Sequence, residues 1–305
     1  MNVMAASPLL LFPVLFLSVA LVAGNNLAAC VGTTVGARII SRRFAIVIGA
    51  GGFVLGLLTL GRVMIHSTSA LLSSPIGATL ASEVLFSTVV VFVLGNFLRV
   101  PFSVTSSLTG VLIGISISRG LPVDYAFVGY IIAVWALAPV LSIAVAFYSM
   151  RTISKTKPKD IWKRVKMYKN VTVAAAFLTA YAAGANSLAL IVAISGFGTG
   201  QVAMAIVAVV FGSFFLSSRQ MRRVGSEMYL LGYSSALATT LASTALILFA
   251  SAEGIPLSST QTLSSAVFGA GLSHKDRFMA MKPFLMVAAG WVIAPLLSLC
   301  IGLFI

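Results

Sequence analysis

Two kinds of short polar segment interrupt this largely apolar sequence, and each occurs twice. Gly24-Asn25-Asn26 recurs 160 residues later as Gly184-Ala185-Asn186. Pro101-Phe102-Ser103-Val104-Thr105 recurs 155 residues later as Pro256-Leu257-Ser258-Ser259-Thr260. Glycine and asparagine in an apolar helix favour a break, and proline suits the first turn of a helix. Because free N–H groups at a helix start and nearby hydroxyls donate to anions, both segments predict an anion site.

A third repeated segment shows that the chain is internally duplicated. Trp135-Ala-Leu-Ala-Pro139 recurs 156 residues later as Trp291-Val-Ile-Ala-Pro295. Three unrelated segments in the same order, at nearly one spacing, indicate two repeats. We expect a first repeat over residues 1–150, a basic linker over 151–170 and a second repeat over 171–305.

The composition identifies the elements that must position these segments. The chain has 305 residues, of which 59% are hydrophobic and 9% are charged, and the apolar residues form long runs. This composition excludes a soluble enzyme and a disordered chain, and the runs lack the alternation of a membrane β-barrel. We predict an all-α, polytopic membrane protein with about 10–12 transmembrane segments of roughly 20 residues each. These segments would form two repeats of inverted topology with broken or re-entrant helices.

The net charge of +14 predicts a topology and argues against a nucleic-acid interface. Eight of the twenty cations lie between Arg151 and Lys169, and most others occupy short connectors. Basic connectors in an apolar chain face the cytoplasm, where the phosphates of anionic lipids are their partners. Five apolar segments in the first half then place the N-terminus outside a cell membrane and the linker inside. Residues Leu9–Gly24 are read as a retained first span.

Other residue types exclude several kinds of chemistry. Cys30 and Cys300 are isolated, and His66 and His274 lie in connectors, so we expect no disulfide, no metal site and no cofactor. The sequence has no nucleophile–base arrangement and no P-loop, so we expect no enzyme and no ATP-driven transport. Structural explanations exist for the repeated segments too, because small residues pack helices and hydroxyls cap them. Because these segments are duplicated, we favour a functional role for them over a purely structural one.

The repeated segments resemble those of the inorganic phosphate transporter (PiT) family. That family has two G-A-N-D-x-x-N motifs, two P-V-S-T-T-H motifs followed by a glycine-spaced helix, and W-x-x-S-P motifs late in each half. The resemblance covers nearly the whole chain except the basic linker. It implies secondary transport of a tetrahedral oxyanion coupled to Na⁺ or H⁺, inverted repeats and a homodimer. The substrate-binding candidates are Asn25, Asn26, Ser103, Thr105, Ser106, Asn186, Ser187, Ser258, Ser259, Thr260 and Gln261.

The sequence departs from the family motifs at their most polar positions. The motif aspartates fall on Leu27 and Ser187, and the histidines fall on Ser106 and Gln261. The second asparagines fall on Cys30 and Leu190. Phosphate near neutral pH keeps a proton that it can donate to a carboxylate, whereas sulfate has none and is repelled. We therefore expect an oxyanion permease, with sulfate at least as favoured as phosphate and with H⁺ or weak Na⁺ coupling.

Few acidic residues remain to couple transport to protons. Glu83 lies in the apolar segment Thr79–Leu98, where a carboxylate is costly and marks a functional position, and no partner for it is evident. It is therefore the coupling candidate. The alternative is an uncoupled channel or a regulatory membrane protein that keeps the transporter fold.

Overall fold

The structure, a computed structural model, is nearly all helical in the residues that it describes, which are 10–71, 76–97, 102–155, 160–217, 232–273 and 281–305. Short 3-10 and π-helical turns cover Gly61–Val63, Gly184–Leu188 and Gly212–Leu216. In chain order the α-helices are α1 Leu11–Gly36, α2 Arg42–Thr59, α3 Met64–Leu71, α4 Ala78–Phe97, α5 Val104–Ser118, α6 Tyr125–Lys155, α7 Ile161–Ala183, α8 Ala189–Ser195, α9 Thr199–Phe211, α10 Tyr233–Ala252, α11 Ser259–Ser273 and α12 Met281–Leu303.

The helices have the lengths that a bilayer requires. Within the described ranges, eight segments are long and apolar enough to cross a membrane. Helices α5 and α11 have 15 residues each. At about 1.5 Å per residue they span roughly 22 Å, less than the ~30 Å hydrocarbon core. The protein is therefore a multi-pass helical membrane protein in which two short helices begin inside the bundle.

The duplication is visible in the helix bounds and in how the helices pack. The bounds of α4 and α10, and those of α5 and α11, differ by 155 residues at both ends. Helix α1 packs on α9, and its counterpart α7 packs on α2. A Cβ added to Gly56 would collide with the carbonyl oxygen of Tyr181, and one added to Gly212 would collide with that of Ala20. Each first helix thus touches the backbone of the other repeat.

Each of the two helices that follow the proline segments also packs against a helix of the other repeat. Helix α5 packs on α12, and α11 packs on α6. A Cβ on Gly114 would meet the Leu299 carbonyl oxygen, and one on Gly269 would meet that of Ile143. Glycine allows this close backbone approach because it has no side chain. The repeats therefore interlock, and the segments around both short helices meet at the boundary between repeats.

The prediction that the helices break at the two glycine-asparagine segments is wrong. Helix α1 is continuous through Gly24 to Asn26. At Gly184 the helix continues as a π turn into α8. A helix-interior glycine costs about 1 kcal/mol, whereas a break in apolar surroundings leaves backbone groups unpaired at several kcal/mol each. Continuity is therefore the cheaper arrangement at these segments, and the buried starts of α5 and α11 offer free N–H groups instead.

One end of the bundle carries most of the described cations. There, Ala37 and Ile39 after α1 pack on Ala236 at the start of α10. We call this the basic end, because Arg42 and Arg43 begin α2 and Lys163 and Arg164 lie in the first turn of α7. Much of the predicted linker 151–170 is helical, since α6 ends at Lys155 and α7 starts at Ile161. A cytoplasmic location for the basic end stays a prediction.

Candidate functional site

The two short helices begin in matching ways. The Ser103 hydroxyl accepts a hydrogen bond from the Ser106 N–H, and the Ser258 hydroxyl accepts one from the Gln261 N–H, both at 3.3 Å. Each serine therefore caps its own helix, as the structural explanation of the hydroxyls predicted. The N–H groups of the first two helical residues precede the first intrahelical bond. These donors, Val104 and Thr105 in α5 and Ser259 and Thr260 in α11, carry the positive end of each helix dipole.

Asn186 holds the chain that leads into α11. Its side-chain Nδ2 donates to the Ile255 carbonyl at 2.7 Å, and its Oδ1 accepts from the Leu257 N–H at 3.0 Å. These bonds flank Pro256, which has no N–H of its own. Asn186 is fully buried, so the two bonds satisfy groups that would otherwise be costly to bury. The asparagine of the second repeat thus fixes the proline segment of that repeat.

A second contact joins this region to α5. The hydroxyls of Thr105 and Ser187 lie 2.9 Å apart. Because Ser187 follows Asn186 in the π turn, hydrogen bonds connect the start of α5 to the residues preceding α11. The hydroxyls of Ser258 and Thr260 are also 2.9 Å apart. Through these bonds and their chain neighbours, Thr105, Asn186, Ser187, Ser258 and Thr260 form one connected polar set, the interrepeat cluster, in which all members except the part-buried Thr260 are buried.

Trp135 is a further contributor whose role the sequence did not reveal. Its indole Nε1 donates to the Pro256 carbonyl at 2.7 Å. Its own carbonyl accepts from Gln261 Nε2 at 3.0 Å. That carbonyl lacks an intrahelical donor because Pro139, four residues later in α6, has no N–H. The repeated tryptophan-proline segment was the available signal, although its residue types gave no role.

Several predicted site residues do not join the cluster through hydrogen bonds. Asn25 and Asn26 pair only with each other among the described residues, at 3.4 Å. The Ser106 hydroxyl donates to the Ser103 carbonyl at 3.1 Å. The Ser259 hydroxyl is buried and finds no partner in the described part of the chain. Pro101 lies outside the described residues.

The two aspartate positions of the family motifs are neutral and buried. Leu27 is fully buried, and its side chain fills the space beside Gly49. Ser187 is 2% exposed and faces Thr105. Within the described ranges, no group of three His, Cys, Asp or Glu residues could hold a metal ion. The interrepeat cluster consequently offers hydroxyl, amide and backbone donors without a carboxylate.

Glu83 has a partner, which corrects the expectation that it has none. Its carboxylate Oε2 lies 2.5 Å from an Arg119 guanidinium nitrogen. The Glu83 side chain is 11% exposed and that of Arg119 is 37% exposed. Arg119 follows the last residue of α5, so the ion pair joins α4 to the end of α5 that is remote from the interrepeat cluster. Glu253 is exposed at the end of α10.

Comparison with known proteins identifies the family. The model of the phosphate transporter family matches residues 22–166 and again residues 152–302. The chain belongs to the phosphate transporter family. The two overlapping matches correspond to the two repeats, and the family and fold are those of transporters.

Relatives and a solved structure agree with this membership. A Methanocaldococcus jannaschii protein named "Putative phosphate permease" is 26% identical over 92% of this chain and 91% of its own length. A sulfate permease of Bacillus subtilis is 21% identical over 92% of this chain and 82% of its own. A solved structure titled "The sodium-dependent phosphate transporter" superposes with a TM-score of 0.80, at 16% identity, over 97% of each chain. That superposition confirms the predicted transporter fold.

Proposed function

We propose that this phosphate transporter family member is a secondary active transporter of a tetrahedral oxyanion, with sulfate at least as good a substrate as phosphate. The single observation that carries the proposal is the interrepeat cluster, which presents donors from two helix starts and no carboxylate. The Thr105–Ser187 contact of 2.9 Å links the start of α5 to the π turn of the other repeat, where Asn186 bonds the Leu257 N–H just before α11. In this proposal the donors of both helix starts bind one tetrahedral anion from two directions.

Binding would exchange internal hydrogen bonds for bonds to the anion. The hydroxyl pairs Thr105–Ser187 and Ser258–Thr260 each keep one proton between two oxygens. An anion placed beside them would accept from the hydroxyls and from the free N–H groups at the starts of α5 and α11. Asn26, Ser103 and the other predicted candidates complete the proposed site. Helix dipoles supply positive potential without a buried cation.

The neutral motif positions support sulfate as a substrate. A carboxylate at position 187 would face Thr105, where it could accept the proton of a phosphate and would repel a fully ionised sulfate. Serine at this position removes both effects. Replacing Ser187 with Asp should therefore lower sulfate uptake much more than phosphate uptake. Replacing Leu27 with Asp is a matched change at the other repeat's motif position.

Coupling to H⁺ or Na⁺ belongs to the proposal and separates it from an uncoupled channel. Purified protein in proteoliposomes should accumulate radiolabelled sulfate above the equilibrium level when a proton or sodium gradient is imposed. Selective collapse of each gradient then identifies the driving ion. Equilibration without accumulation under every gradient would instead show a channel and overturn the coupled mechanism. The homodimer implied by the family resemblance stays a prediction, testable by mass measurement in detergent.

A further inference from the structure

Helix α10 makes a layer of hydroxyl contacts between the interrepeat cluster and the basic end. Thr240 pairs with Thr33 of α1 at 2.9 Å, and Thr244 pairs with Thr179 of α7 at 2.5 Å. Ser243 pairs with Thr262 of α11 at 3.1 Å. All six side chains are at most 6% exposed. We call this set the hydroxyl layer; its members are Thr33, Thr179, Thr240, Ser243, Thr244 and Thr262.

The position of the layer follows from the helices that carry it. Thr33 lies seven residues after Asn26, on the side of α1 that leads to the basic end. Thr179 lies seven residues before Asn186, and α7 starts at the basic end. Seven residues of helix rise about 10 Å, so the layer is roughly two turns from the motif asparagines. The hydroxyl layer therefore lies along α10 between the interrepeat cluster and the basic end.

The equivalent place in the other repeat has different chemistry. The spacing of 155 residues relates Thr240 to Leu85 and Thr244 to Val89. Leu85 and Val89 line a crevice between α1, α4 and α5 that is largely apolar. In this conformation a path there is closed to ions, because apolar constrictions exclude water. The hydroxyl layer on α10 and the crevice beside α4 are thus at equivalent places in the two repeats and differ in polarity.

One hydrogen bond of the hydroxyl layer is present in the second repeat, whereas the equivalent residues of the first repeat are not bonded to each other. Ser243 pairs with Thr262, and their counterparts at the repeat spacing are Thr88 and Ser107. Thr88 instead donates to the Val84 carbonyl of its own helix at 2.8 Å. The Ser107 hydroxyl is buried and has no partner within the described ranges. The repeats therefore differ at one pair of equivalent positions.

We infer that the hydroxyl layer is the gate on the oxyanion's path at the basic end, and that Thr88 and Ser107 pair when this gate opens. The inference rests on the proposed transport function. Inverted repeats exchange conformations during alternating access, so a contact made in one repeat should be replaced by its counterpart in the other. The separated hydroxyls would then donate to the passing anion. Hydroxyl pairs between membrane helices are weak enough to break during each cycle.

Paired cysteines test this exchange directly. In a Cys30→Ala, Cys300→Ser background, Ser243→Cys with Thr262→Cys should cross-link under mild oxidation, block sulfate uptake, and recover on reduction. Thr88→Cys with Ser107→Cys is the matched pair, and saturating sulfate should raise its rate of cross-linking. Full uptake after cross-linking of the first pair, or no cross-link there, would overturn the gate. If the uncross-linked parent transports no oxyanion, the proposed function has failed instead.

Cys30 provides a second test that needs no cross-link. This buried residue lies on α1 between Asn26 and Thr33. In a Cys300→Ser background, Thr240→Val should speed labelling of Cys30 by a small hydrophilic thiol reagent about threefold, because one hydroxyl pair is lost. Ser82→Ala is the control, because the Ser82 hydroxyl bonds the Ala78 carbonyl of its own helix at 2.8 Å and has no part in the gate, and the labelling rate of Cys30 should not change. Equal labelling rates in the two variants would contradict a gate at the hydroxyl layer.

Discussion

The two glycine-asparagine segments have nearly the same sequence but different backbones. Gly24-Asn25-Asn26 lies inside the continuous helix α1, where Asn26 pairs with its neighbour Asn25. Gly184-Ala185-Asn186 forms a π turn, where Asn186 bonds the residues around Pro256. A π turn accommodates an extra residue in the helix and reorients the side chains that follow. Duplicated sequence therefore does not imply duplicated contacts, and the second repeat contributes more of the interrepeat cluster.

The largest difference should appear when the asparagines are replaced. Asn186→Leu leaves the Ile255 carbonyl and the Leu257 N–H without their side-chain partner, at about 1–3 kcal/mol for each buried group. We expect sulfate uptake to be lost and the melting temperature to fall. Asn26→Leu, the matched variant, should retain most of its stability while its uptake weakens. Thermal unfolding in detergent and uptake in proteoliposomes measure both; equal destabilisation by the two changes would remove the distinction.

The tryptophans should show a smaller effect of the same kind. Trp135→Phe deletes the donor to the Pro256 carbonyl, with an expected loss of about 1 kcal/mol in stability and slower uptake. In Trp291 the indole Nε1 has no acceptor among the described residues. Trp291→Phe should therefore change the melting temperature less. A greater fall in melting temperature for Trp291→Phe than for Trp135→Phe would contradict this difference between the two tryptophans.

The contribution of the Gln261 side chain to stability should depend on Pro139. Gln261→Ala removes the donor to the Trp135 carbonyl and should cost about 1 kcal/mol. In a Pro139→Ala background, the new backbone N–H at position 139 can serve that carbonyl, so the same change should cost less. A double-mutant cycle in thermal unfolding gives the coupling energy. Additive effects would mean that Gln261 does not replace the missing helix bond.

Glu83 should have the smallest effect on stability. Its ion pair with Arg119 is partly exposed, and such pairs contribute about 0–1 kcal/mol. The coupling role stays a prediction: Glu83→Gln should weaken the response of uptake to a proton gradient while leaving sulfate binding intact. Arg119→Gln breaks the same ion pair and keeps the carboxylate. If gradient-driven uptake in Glu83→Gln equals that of the parent, Glu83 has no part in coupling.

The sequence predicted the fold class and the duplication, because hydropathy and repeat spacing determine these features. It placed Pro256 in the first turn of a helix, whereas α11 begins at Ser259 behind the Ser258 cap. It also named Thr105 and Ser187 as candidates for one site, and the structure places their hydroxyls 2.9 Å apart; the site itself stays a prediction. It did not predict the continuous helix at Gly24, since the cost of a break depends on apolar surroundings that only the fold provides. The partner of Glu83 and the contacts of Trp135 were missed for a similar reason. Both join residues distant in sequence, and no residue pattern specifies which elements meet.

Competitive uptake tests the central claim, that a neutral interrepeat cluster transports oxyanions without selecting against sulfate. Proteoliposomes containing the unmodified protein are given radiolabelled sulfate, with or without excess unlabelled phosphate, and the reverse pair. We predict sulfate uptake at a rate at least equal to that of phosphate. Phosphate uptake that excess sulfate fails to reduce, with no sulfate uptake, would contradict the claim.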